Sequence, residues 1–117
     1  MDQLLNTEKR KNKRFIKRCE TEFVSNNITY RGISSNFSLD GLFIRTSYPF
    51  ASETLLDIVI HLPDGLITRV KGRVKWALRN YAGNVPGASI RASRNGMGIE
   101  IVERDTGYMH FVSSLCL

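Results

Sequence analysis

Regular alternation of apolar and polar positions begins at Arg18. Cys19, Thr21 and Phe23 point one way and Glu20 and Glu22 the other, the two-residue period of a half-buried strand. Ser25-Asn26-Asn27 is a turn, because asparagine tolerates positive φ, and a second strand follows from about Ile28 to Ile33. Ser34 to Gly41 is dense in small polar residues and predicts a loop held by side-chain-to-backbone hydrogen bonds. Leu42 to Thr46 is a short strand, ended by Pro49. Leu55 to Leu62 alternates again, with Leu56, Ile58, Ile60 and Leu62 inward and Asp57 and His61 outward, and Pro63-Asp64-Gly65 signals a hairpin. From Ile67 to Leu78 the alternation is clearest. It places Val70, Val74, Trp76 and Leu78 on the core side and Arg69, Lys71, Arg73 and Lys75 on the solvent side. Asn80 to Asn95 is too rich in Gly, Asn and Ser for a regular element, and Met97, Ile99 and Ile101 form the inward face of a last strand.

The period then changes. Tyr108, Phe111, Val112 and Leu115 stand at i, i+3, i+4 and i+7, one face of a short helix with Asp105 or Thr106 available as its N-cap. Six short strands at hairpin-like spacing and one terminal helix predict a mainly β fold. Closure into a small antiparallel barrel, with the helix over an opening, would hide the sheet edges.

Composition adds one feature. The chain has 117 residues, enough for one domain with a modest core, and its 42% hydrophobic and 24% charged content is ordinary for a globular protein. The charge is not evenly spread. Lys9, Arg10, Lys11, Lys13, Arg14, Lys17 and Arg18 stand against Asp2 and Glu8, so residues 1–18 hold a net +5 of the chain's +6. The expected organisation is a flexible basic arm, 1–18, and a barrel domain with its helix, 19–117, with residues 1–8 weakly ordered. Charge concentrated in this way attracts phosphates, whether on a nucleotide, a nucleic acid or a membrane. No apolar run suggests a membrane span, and the N-terminus lacks the apolar stretch of a secretory signal. Cys19 and Cys116 have no metal-ligand spacing and read as thiols of a reducing cytoplasm. His61 and His110 have no companions that suggest a metal site or a catalytic dyad, and Arg91 and Arg94 read as soluble loop residues.

Two motifs then stand out in order. Arg14-Phe-Ile-Lys-Arg18 is an R-x-x-x-R pair at the entrance to the first strand, and Asn36-Phe-Ser38-Leu-Asp-Gly41 is an N-x-S-x-x-G loop after the second. With Gly96-Met-Gly-Ile-Glu-Ile near the end, they resemble the PilZ domain, a bacterial receptor for cyclic di-GMP. The resemblance covers about residues 9–115. It implies a six-stranded barrel of the split-barrel type and a dinucleotide gripped between Arg14 and Arg18 on one side and Asn36, Ser38 and Gly41 on the other. The chemistry is compatible. Arginine forks match phosphate oxygens, stack on purines and pair with guanine O6 and N7. Asn36 offers an amide oxygen to a guanine N–H, Ser38 a hydroxyl donor, and Gly41 positive φ with close backbone approach. Arg10, Lys13 and Trp76 are further candidate contacts. Arg10 begins a second R-x-x-x-R frame ending at Arg14. Lys13 stands where many family members have Arg, and Asn36 where Asp is commoner.

The resemblance implies a non-enzymatic cytoplasmic receptor that needs no cofactor. The arm would fold over the barrel on binding cyclic di-GMP and signal to a protein partner in motility, polysaccharide or biofilm control. Two alternatives stay open: a small basic barrel that binds nucleic acid, against which Phe15 as the arm's one aromatic counts, and a PilZ-like adaptor that has lost its ligand.

Overall fold

The computed structural model describes residues 17–78 and 95–115. The expected arm up to residue 16, with Arg10, Lys13 and Arg14, lies outside them, as do residues 80–94 of the expected loop, with Arg91 and Arg94, and Cys116. Six strands follow in order: β1 Cys19–Ser25, β2 Ile28–Ser35, β3 Gly41–Arg45, β4 Leu55–His61, β5 Ile67–Leu78 and β6 Gly96–Arg104. One helix, α1 Thr106–Leu115, comes after them. The strands close into an antiparallel barrel in the order β1-β2-β3-β6-β5-β4.

The two-residue period accounts for the interior. Cys19, Thr21 and Phe23 of β1, Leu42 and Ile44 of β3, Leu56, Ile58 and Ile60 of β4, Val70 and Val74 of β5, and Met97, Ile99 and Ile101 of β6 are all buried. Leu62 packs against this core from the hairpin. Cys19 is one of these side chains; burial raises its thiol pKa, against the lowering effect of Lys17. Asn26 and Asn27 both adopt positive φ, 52° and 66°, which gives the β1–β2 hairpin the backbone twist of its strands.

One end of the barrel is filled by aromatics. Phe23 and Tyr30 stack at 5.6 Å, and Phe50 meets both edge-on. The other end is closed by α1, whose Tyr108, Phe111 and Val112 are buried. Of the two N-cap candidates, Asp105 takes the role: its Oδ1 accepts the Tyr108 N–H at 2.8 Å and the Thr68 hydroxyl, while Oδ2 accepts the Arg69 N–H at 2.9 Å. Burial alone would raise this carboxyl's pKa. The hydrogen bonds from Thr68, Arg69 and Tyr108, with the Arg69 charge, outweigh it and hold the group below 3.8.

β5 departs from expectation beyond Val74. Trp76 and Leu78 are 51% and 43% exposed rather than in the core. The cause is a β-bulge: Val74 pairs with Ile99 and Trp76 with Gly98, so Lys75 is an extra residue with no partner position on β6. A one-residue insertion reverses the faces of everything after it.

Candidate functional site

Strand pairing assembles one outward-facing row across the barrel. On β1, Cys19 pairs with Ser34, so Arg18 leaves the strand beside Ser35. Ser35 pairs with Phe43, Phe43 with Gly98, and Gly98 with Trp76. The row therefore runs from an exposed arginine, past the start of the Asn36 loop, to an exposed indole. Trp76 stacks on Phe43 with ring centroids 5.5 Å apart and planes 27° from parallel. Gly98 makes this possible: a Cβ there would lie 2.2 Å from the indole Nε1. Arg45, exposed, shares the face of Phe43 two residues on. Phe43 and Arg45 were not singled out from the sequence. Their signal was the burial of Leu42 and Ile44, which turns both outward opposite the glycines of Gly96-Met-Gly98.

The Asn36–Gly41 loop is built differently from expectation. Positive φ falls on Asn36, at 55°, while Gly41 lies outside the left-handed region. The kink at Asn36 breaks the strand alternation and sends Phe37 into the core, where it meets the ring of Phe111 edge-on at 5.0 Å. Asn36 itself stays half-exposed. Gly41 is required for another reason: a Cβ would stand 2.8 Å from the Ile99 carbonyl oxygen on β6. Ser38 is buried, and its hydroxyl donates to the Gly41 carbonyl at 3.3 Å and accepts the Gly41 N–H at 3.1 Å. In this arrangement the hydroxyl closes the loop on itself. Of the expected site residues among those described, Arg18 and Trp76 are thus exposed and Asn36 is partly exposed. Ser38 and Gly41 fix the loop's shape behind them.

The basic face of β5 proves to be locally compensated. Arg73 bonds Glu100 at 3.1 Å and lies 3.7 Å from Glu53, and Lys75 lies within 3.9 Å of both carboxylates. Lys71 pairs in register with Asp57 on one side and Glu103 on the other. A stripe balanced in this way is a poor track for a polyphosphate chain. Among the described residues, no His, Cys, Asp and Glu come together in a group able to hold a metal ion. No described helix is long and apolar enough to cross a membrane.

A family model described as the PilZ domain matches residues 8–110. No curated protein matches the chain. Among solved structures, the inhibitor of motility MotI/DgrA of Bacillus subtilis superposes with a TM-score of 0.72 at 16% identity, over 92% of this chain and 49% of that one. The present chain therefore spans about half the length of that protein, and the likeness is one of fold.

Proposed function

The chain belongs to the PilZ domain family, and on that premise we propose that it is a receptor for cyclic di-GMP rather than an enzyme. The observation that carries this is the row from Arg18 past Asn36 to the Phe43–Trp76 pair. It offers, side by side, what a guanine dinucleotide requires. Arg18 supplies a cation for a phosphate, and Arg14, with Arg10 and Lys13 as further candidates, is proposed to add to it. Asn36 supplies an acceptor for a guanine N–H. Trp76 supplies an indole face against which a purine can lie. Ser38 and Gly41 act by holding the shape of the loop that carries Asn36.

Residues 1–18 form the ligand arm and residues 19–117 the barrel it closes on. Contacts made only in the bound state drive that closure. The new surface acts on a protein partner in the cytoplasm. The name of MotI/DgrA makes motility one output to test, beside polysaccharide and biofilm control. Calorimetric titration with cyclic di-GMP, with GTP, GMP and cyclic di-AMP as controls, tests the proposal. Tight binding of cyclic di-GMP alone is expected. Arg14→Ala and Arg18→Ala should each weaken binding by about 2–4 kcal/mol. Absence of binding by the wild type, or wild-type affinity in the double variant, overturns it.

A further inference from the structure

Three consecutive carbonyls of the loop are each received by the chain's C-terminal segment. The Ser38 carbonyl accepts the Tyr108 hydroxyl at 2.6 Å, the Leu39 carbonyl accepts Arg104 Nε at 2.9 Å, and the Asp40 carbonyl accepts the Ile101 N–H at 2.8 Å. Arg104 also reaches Asp40, its Nη2 lying 3.6 Å from Oδ1. Beneath these bonds Phe37 is clamped against the rings of Tyr108 and Phe111. Tyr108 is fully buried, so its O–H has no water to turn to, and burial pushes its pKa up and keeps it a donor. The loop thus begins at the partly exposed Asn36 and is fastened over its next residues to α1 and the end of β6.

We propose that Tyr108 and Arg104 are positioning residues for the Asn36–Gly41 loop, so that seating of α1 and occupancy of the loop are coupled. A displaced α1 withdraws the Tyr108 hydroxyl and leaves a buried carbonyl unpartnered, and the loop then loses the shape that sets Asn36 in place. Linkage makes the effect reciprocal: ligand on the loop holds α1 down, and a protein that pulls α1 away lowers the affinity for ligand. The identity of the ligand rests on the receptor reading above; the positioning of the loop does not.

The test uses Tyr108→Phe, which keeps the ring and deletes the bond. Phe50→Leu, in the aromatic cluster at the opposite end of the barrel, serves as a control for general destabilisation. Hydrogen exchange without ligand should speed up at the amides of residues 36–41 in Tyr108→Phe and stay unchanged there in Phe50→Leu. Cyclic di-GMP should bind Tyr108→Phe about tenfold more weakly and Phe50→Leu within about twofold of wild type. Ligand should slow exchange across α1 in the wild type. Should Tyr108→Phe not fold, Arg104→Gln, which removes a partly exposed donor to Leu39, gives the same readouts. Unchanged loop exchange in the folded variant overturns the positioning role. Equal loss of affinity in Phe50→Leu, or unchanged α1 exchange on ligand binding, overturns the coupling. If wild type fails to bind cyclic di-GMP, the receptor reading and the coupling to that ligand fall together, and ligand-free exchange still decides the positioning.

Discussion

Asn36 has a backbone role in the fold and, in the proposed receptor, a ligand role, and substitutions can separate the two. Its backbone is left-handed at φ 55°, a conformation that Gly adopts freely and a β-branched residue resists. Asn36→Gly should therefore keep stability within about 1 kcal/mol and lose the amide, weakening cyclic di-GMP about tenfold. Asn36→Val should be destabilised by about 1–3 kcal/mol as well. Asn36→Asp should bind at least as well as wild type, because an ionised acceptor makes the stronger hydrogen bond and the arm's arginines offset its repulsion of phosphate. Thermal melts beside titrations distinguish these outcomes; equal affinity in all four proteins would remove Asn36 from the site. Gly41 behaves in the opposite way. Its Cβ would meet backbone rather than ligand, so Gly41→Val should push β3 off β6 and lose about 1–3 kcal/mol or more of stability before any effect on binding is read. Gly98→Ala should dislodge the indole from its seat. Trp76 is the chain's one tryptophan, so a change in its emission spectrum reports that displacement directly.

At the scale of elements, α1 depends on its cap. Asp105 has a depressed pKa when folded, so it contributes stability that is fully present above the unfolded value near 3.8. That stability is lost as pH falls through the folded value. Asp105→Asn can still cap, and it lacks the charge. The difference in melting temperature between wild type and Asp105→Asn should be constant above about pH 5 and shrink toward zero as pH drops below 3.8. A difference that does not change with pH would mean that the carboxylate's charge is not what the helix uses. The strands, the Asn26–Asn27 hairpin and the apolar face of α1 were readable in the sequence because each obeys a local period or turn preference. Trp76 was misplaced because a bulge carries no local signature. Lys75 looks like any outward lysine until pairing with β6 reveals it as the extra residue. The shape of the Asn36 loop was unreadable for a related reason: its three carbonyl partners lie about sixty to seventy positions away in sequence, beyond any periodicity.

For the whole molecule, the relevant quantity is how little of the net charge belongs to the barrel. The arm holds +5 of +6, and the cations of β5 stand against Glu53, Glu100, Glu103 and Asp57. A site that meets two phosphates releases few counterions, so the affinity for cyclic di-GMP should fall only shallowly with salt, whereas a nucleic-acid grip would fall steeply. Titration between about 50 and 200 mM salt, with mixed-sequence DNA as competitor, checks this. Effective competition by DNA in moderate salt would favour the nucleic-acid alternative. The family assignment was legible from motif order. Which motif residues face solvent was not, because burial of Ser38 is a property of the packed loop.

Closure of the barrel also limits how any signal can leave it. Each of the six strands has a neighbour on both sides, although the pairing is partial: β2 meets β3 only over residues 33–35, and β5 meets β4 only as far as Arg73. Among the described strands, recognition by strand addition, in which main-chain bonds give affinity with little regard to side chains, has only the short stretches left unpaired to use. A partner that binds elsewhere must read side chains on the outer face, the connecting loops or the exposed side of α1. Its specificity should then be altered by single surface substitutions that leave the fold untouched.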